Sequence, residues 1–127
     1  MATSWTLGCD AADPDRLASF WALALGYIIE PGYEFEGGAS LIDPEGEGPA
    51  IGFLRVPESK TAKNRMHIDI RVAGEQRVEQ EFREQWVREK VAELLAADAT
   101  VVREETYDGE LSHVVMLDPE GNEFCVA

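Results

Sequence analysis

The sequence predicts an α+β fold made of two copies of one strand–helix–strands unit. Three observations predict it. The hexapeptide Leu41-Ile42-Asp43-Pro44-Glu45-Gly46 returns as Met116-Leu117-Asp118-Pro119-Glu120-Gly121. Each copy falls at the same point of a strand, helix, strand, strand, turn, strand series, so the order of elements repeats with the peptide. The apolar residues also change period in step: three and four along two candidate helices, two along the candidate strands.

In the first unit a short strand is expected over Trp5–Cys9. Asp13-Pro14 then opens a helix, with Asp13 as cap and Pro14 at the first helical position. Leu17, Phe20, Trp21, Ala24 and Leu25 form its apolar stripe, and Gly26 ends it. Tyr27-Ile28-Ile29, Ala39–Ile42 and Ala50–Val56 read as strands, and Asp43-Pro44-Glu45-Gly46 as a turn. Tyr33, after Pro31-Gly32, reads as a loop residue that packs or covers a site.

Residues 57–65 are polar and read as a linker. From Met66 to Val72 the chain alternates, with Met66, Ile68, Ile70 and Val72 on one face and His67, Asp69 and Arg71 on the other. A long helix is expected over 75–96, its apolar face formed by Val78, Phe82, Trp86, Val91, Leu94 and Leu95. Asp98 stands where a left-handed stop is needed. Val101-Val102, Ser112–Leu117 and Glu123–Val126 complete a meander.

The chain has 127 residues, the size of a single domain, with 45% hydrophobic residues. Eleven basic residues against 25 acidic ones give a formal charge of −14. That sign repels phosphate backbones and anionic lipid surfaces, which sets aside nucleic acid and membrane partners. No stretch approaches the roughly 20 apolar residues of a membrane span, and residues 1–10 lack a leader pattern. The expected location is cytoplasmic, with Cys9 and Cys125 reduced, although nothing in the sequence fixes their separation. Arg55, Lys60, Lys63, Arg65 and Arg71 concentrate five of the eleven basic residues. This stretch reads as an attractor for an anionic ligand or as a surface for a second, acidic subunit.

Each unit uses one sheet face under its helix, which leaves two faces to line a shared concavity. His67 beside Asp69 on one strand face suits a general base with its tautomer held. Arg71 suits an ion pair with Asp69 or the bidentate grip of a substrate carboxylate. Cys125 reads as core filler, metal ligand or nucleophile. His113 reaches toward the same face.

Several blocks carry a resemblance: Asp13-Pro14 through Phe20-Trp21, Leu25-Gly26-Tyr27, Arg55-Val56-Pro57-Glu58, Lys63-Asn64-Arg65-Met66-His67-Ile68-Asp69, and the ending Asp118-Pro119-Glu120-Gly121-Asn122-Glu123-Phe124-Cys125-Val126. In order, and over nearly the whole chain, they resemble the glyoxalase/bleomycin-resistance/extradiol-dioxygenase superfamily, the vicinal oxygen chelate (VOC) proteins. The resemblance is closest to its small bacterial glyoxalase-like domain subgroup. It implies paired βαβββ modules, about residues 1–57 and 66–127 of a single domain, and a homodimer. It also implies a divalent metal held by His, Gln or Glu from the first and last strand of each module. The matching positions here are Thr6, Gly52, His67 and Cys125. Thr6 is a poor ligand and Gly52 has no side chain. His67 and Cys125 therefore remain as an incomplete metal set, where catalytic sites use three protein ligands. A slip of one residue in the last strand would bring Glu123 or Phe124 forward instead.

The incomplete set points to a binder of a small organic ligand, with a metal cofactor left open. Its cleft would be lined by Thr6, Gly8 and Phe53 from the first module. Asp69, Arg71, His113 and Met116 would join from the second, with His67 as the candidate catalytic residue. A metal-dependent lyase, isomerase or dioxygenase is the alternative, using His67 and Cys125 with Glu123 or a ligand from a second subunit. A structural or regulatory dimer is a third, with the long charged helix as its partner surface.

Overall fold

The computed structural model describes residues 1–127, which divide into two compact units, Met1–Ser59 and Lys60–Ala127. Each unit is a four-stranded mixed sheet with one helix, and each runs strand, helix, three strands.

The first unit begins with β1 (Leu7–Ala11), two residues later than the apolar pattern suggests. β1 is an edge strand, so it extends only where its partner faces it. The parallel pairing with β4 (Ile51–Arg55) starts at Leu7↔Ile51. Trp5 therefore stays outside the sheet, 65% exposed. The helix α1 (Pro14–Leu25) forms as its sequence dictates. The Asp13 side chain accepts from the Arg16 N–H, Pro14 sits in the first turn, and Gly26 closes the helix with φ 71°. Leu17, Phe20, Trp21 and Ala24 are buried against the sheet, with Phe20 and Trp21 edge to face. The two short strands β2 (Ile28–Ile29) and β3 (Gly38–Ile42) complete a sheet of order β1-β4-β3-β2.

Tyr27 donates its hydroxyl proton to the Pro49 carbonyl at 3.0 Å, and that hydroxyl fills the space where a side chain at Gly48 would begin. Gly48→Ala is expected to lower stability by about 1–3 kcal/mol, the usual range for overpacking. Urea midpoints check this. Adding Tyr27→Phe, which removes the obstructing hydroxyl, restores part of the loss.

The second unit repeats the topology: β5 (Asp69–Ile70), α2 (Gln80–Ala96), β6 (Thr100–Tyr107), β7 (Glu110–Leu117) and β8 (Glu123–Val126), in sheet order β5-β8-β7-β6. β5 is shorter than the alternating stretch around it, although backbone bonds to β8 run from Ile68 O to Val72 N. Ile70 is buried, but Met66 at the start of the alternation is 80% exposed.

α2 starts five residues later than expected, after an extended Glu79 that makes no side-chain cap bond. Its buried residues are Val87 and Leu94, while Phe82 and Leu95 stay about half exposed. Steps of four residues drift about 40° per step on a helix of 3.6 residues per turn. A stripe through Val78, Phe82 and Trp86 therefore winds off the sheet-facing side. Polar anchors hold the first turn instead: Gln80 donates to the Leu111 carbonyl, and Arg83 to the carbonyls of Leu111 and Ser112. Asp98 adopts the left-handed stop, φ 74°.

β6 is much longer than Val101-Val102. It turns back through Asp108-Gly109, both with positive φ, the backbone of a two-residue hairpin. Met116, Phe124 and Val126 form the core of this unit on its helix side. No helix is long and apolar enough to cross a membrane.

Candidate functional site

The second sheet keeps one face free of its helix, and register decides which side chains share it. Arg103 on β6 lies opposite Val115 on β7, Val115 opposite Cys125 on β8, and Cys125 opposite Asp69 on β5. These four form one transverse row. Side chains alternate with period two, so His67 and Glu123 lie one row to one side, and Arg71 and His113 one row to the other. Together with Lys63 they line a concavity of about 530 Å³.

At its centre, His67 Nδ1 and Asp69 Oδ1 are 2.9 Å apart. A carboxylate only accepts, so Nδ1 carries the proton and Nε2 is left as the basic nitrogen. The Cys125 thiol also donates to Asp69. Burial first, then the negative charge of Asp69 and that hydrogen bond, push the thiol up from its ordinary pKa, so it stays protonated near neutral pH. His67, Asp69 and Cys125 bring three potential ligand atoms within 4.8 Å of one another.

Four cationic or potentially cationic groups surround this cluster: Lys63, Arg71, Arg103 and His113. Arg103 is paired with Glu105, and His113 Nδ1 lies 3.1 Å from Ser112 Oγ. Arg71 makes no ion pair with Asp69, whose carboxylate is bound to His67.

Glu123 borders the concavity but is committed elsewhere. It accepts from the Asn64 backbone N–H at 2.9 Å and from Lys60 at 3.1 Å. Chiefly the Asn64 bond, then Lys60, lowers its pKa to about 2. The pairing of Asp69 with Cys125 fixes the last strand's register, which turns Cys125 to the free face and Phe124 into the core.

The remaining candidates fall in different places. Met116 is fully buried on the helix side of the second sheet, because its neighbours Val115 and Leu117 take the other face. Phe53 is buried on the helix side of the first sheet. Gly8 and Gly52 are register partners on the first unit's free face, with open space where their side chains would be. Thr6 is exposed and precedes β1. The first-unit positions that match His67, Asp69 and Cys125 are thus Thr6, Gly8 and Gly52, which offer no comparable cluster.

Sequence reasoning missed Arg103. A bulge at Val102 shifts the β6 register, so that Arg103 comes opposite Val115. No local residue pattern announces that bulge. Lys63, read as part of a linker, lines the concavity as well.

Comparison with known proteins agrees with this architecture. No curated protein matches the sequence. Among solved structures, a glyoxalase/bleomycin resistance protein/dioxygenase family enzyme from Burkholderia phytofirmans superposes with TM-score 0.70 at 19% identity. The match covers 95% of this chain and 94% of that one. A possible glyoxalase from Bacillus cereus gives 0.69 at 16% identity, covering 99% and 98%. A mutant of the fosfomycin resistance protein FosX from Listeria monocytogenes, complexed with Mn(II) and a dihydroxypropylphosphonic acid, gives 0.68 at 14% identity, covering 99% and 90%. The glyoxalase-like domain family matches residues 6–127. By that match, and with paired βαβββ units shared with the glyoxalase/bleomycin resistance/dioxygenase (VOC) proteins, the chain belongs to the glyoxalase-like domain family.

Proposed function

We propose that this glyoxalase-like protein binds a small organic anion against the free face of its second sheet. Arg71 and Lys63 receive the charged group, and His67, oriented by Asp69, faces the bound molecule. The observation that carries this reading is Arg71. Its guanidinium lines the concavity, while the carboxylate two residues away is taken by His67. In a chain of charge −14, an unpaired cation on a concave surface reverses the local field and draws anions to it. A guanidinium matches a carboxylate or phosphonate through two parallel N–H···O bonds. The phosphonic acid in the FosX complex supports that class of ligand.

A thermal-shift panel of small carboxylates, phosphonates and their uncharged amides tests the reading. Stabilisation by the anionic compounds alone is expected. Hydrogen bonds to charged groups contribute about 1.5–3 kcal/mol, so Arg71→Ala weakens binding about 10–100-fold. Unchanged affinity in Arg71→Ala, or equal stabilisation by the amides, would sink it. A metal-dependent lyase, isomerase or dioxygenase is the second reading, favoured by the third donor, Asp69, beside His67 and Cys125. Turnover that appears only in metal-loaded protein would establish it.

A further inference from the structure

We propose that the second unit holds a separate site for a small inorganic oxyanion of the phosphate class. The site is a cavity of about 260 Å³ enclosed by Arg71, the loop that follows it and Arg83 of α2. It lies past the end of β5, and none of His67, Asp69 and Cys125 lines it. Arg71 is the one charged residue that borders both this cavity and the larger concavity.

Backbone bonds fix the walls. The Val72 N–H donates to the Ala127 carbonyl at 2.8 Å, which carries the pairing with β8 past Ile70. Two turns follow back to back. The Gly74 N–H donates to the Arg71 carbonyl and the Gln76 N–H to the Ala73 carbonyl, each at 3.0 Å, with φ 58° at Gly74. On the opposite wall, Arg83 Nε donates to the Gln80 side-chain oxygen at 3.2 Å, and its terminal nitrogens donate to the carbonyls of Ser112 and Leu111.

All three partners of Arg83 are neutral oxygens, so its positive charge stays uncompensated. A guanidinium has five N–H donors, and three are used here, which leaves one on each terminal nitrogen for a guest. Arg71 is likewise unpaired, because the Asp69 carboxylate is bound to His67. No acidic side chain lines the cavity, although 25 of the 127 residues are acidic. Glu75 and Glu79 belong to the adjoining stretch of chain, yet neither contributes to the lining. Arg83 is half-buried, where an uncompensated charge attracts an anion more strongly than at a fully solvated surface. Pockets for drug-sized ligands run about 300–1,000 Å³, so the smaller space suits an ion. Guanidinium groups match the oxygens of a phosphate through paired N–H···O bonds, and the Gln76 amide adds a neutral donor. The site shares Arg71 with the anion reading above but not Lys63 or His67, and the variants below separate the two.

The test is a titration of the full chain with inorganic phosphate at constant ionic strength, followed by nuclear magnetic resonance. The expected result is saturable shifts of the Ala73, Gly74 and Gln76 amides and of the Arg83 Nε–H. Lys63→Ala, which alters only the larger concavity, keeps the phosphate affinity. Gln76→Glu places a carboxylate at the small cavity and weakens phosphate about tenfold, the effect of one like charge at close range. Gln76 is exposed, so this variant folds, and circular dichroism verifies it. Phosphate bound at residues 73–83 while organic anions leave the larger concavity untouched keeps this site and sinks only the earlier reading. Shifts confined to Val115, Cys125 and their neighbours, shifts that never saturate, or unchanged affinity in Gln76→Glu would each overturn the proposal.

Discussion

Met116→Ala lowers the unfolding free energy by about 2–5 kcal/mol, the range for truncating a fully buried large side chain. Met116 has no exposed surface. It lies opposite Val101 on β6 and Phe124 on β8, on the face that α2 covers. Truncation removes the transfer energy of three heavy atoms and leaves a cavity that a close-packed core closes only in part. Against a typical total of about 5–15 kcal/mol, that is a large fraction. Urea unfolding measures it directly. Two comparisons sharpen the result. His113→Ala, on a half-buried residue of the same strand, costs much less. Affinity for an anionic ligand is the same in Met116→Ala as in wild type at temperatures where both are folded. An unchanged midpoint for Met116→Ala would mean that the residue faces ligand space, not the core.

Glu123→Gln is expected to cost about 1–2 kcal/mol at neutral pH and almost nothing near pH 2. The carboxylate has a folded pKa of about 2 against an ordinary value of 4.5, so the fold favours its charged form. A lowered folded pKa contributes stability that is complete above about pH 4.5. That contribution shrinks as pH falls through the window toward 2 and is gone below it. The magnitude follows from the charge-assisted bonds from Asn64 and Lys60, discounted because Lys60 and Glu123 are both partly solvated and because a Gln oxygen still accepts from Asn64. Denaturant curves for both proteins at pH 7, 4 and 2.5 isolate this group, since all other carboxylates titrate equally in the two chains. A gap independent of pH would show that the Asn64 bond alone matters and the charge does not. The same substitution loosens residues 60–64, and with them Lys63 at the edge of the concavity.

α1 was fully legible because cap, proline, apolar stripe and closing glycine all agree at residues 13–26. α2 was legible in existence but not in its start. Its first turn is fixed by Gln80 and Arg83 reaching strand carbonyls, and polar anchoring leaves no apolar period to read. The β6–β7 hairpin did have a signal, Asp108-Gly109, but β6 is mostly exposed and its outward residues mask the alternation. At the site, His67, Asp69 and Arg71 were legible from strand alternation, and Cys125 from the closing motif. Arg103 was not, because a bulge shifts its register. Which sheet face Phe53 and Met116 take was not legible either. Both strands carry apolar residues on both faces, so alternation does not separate core from free side there.

The two Asp-Pro-Glu-Gly turns share more than spelling. In each, the aspartate Oδ1 accepts from the N–H two residues on at 2.9 Å. In each, its carbonyl accepts from the glycine N–H at 2.9 Å, and that glycine has a positive φ, 73° at Gly46 and 87° at Gly121. A backbone that only glycine adopts at low cost tolerates little drift. The turns are therefore the two points at which both units are held to one backbone path, whatever their sheets carry. One unit carries His67, Asp69 and Cys125 together on its open face. At the matching positions the other unit carries Gly8 and Gly52, paired in register and with open space where side chains would be.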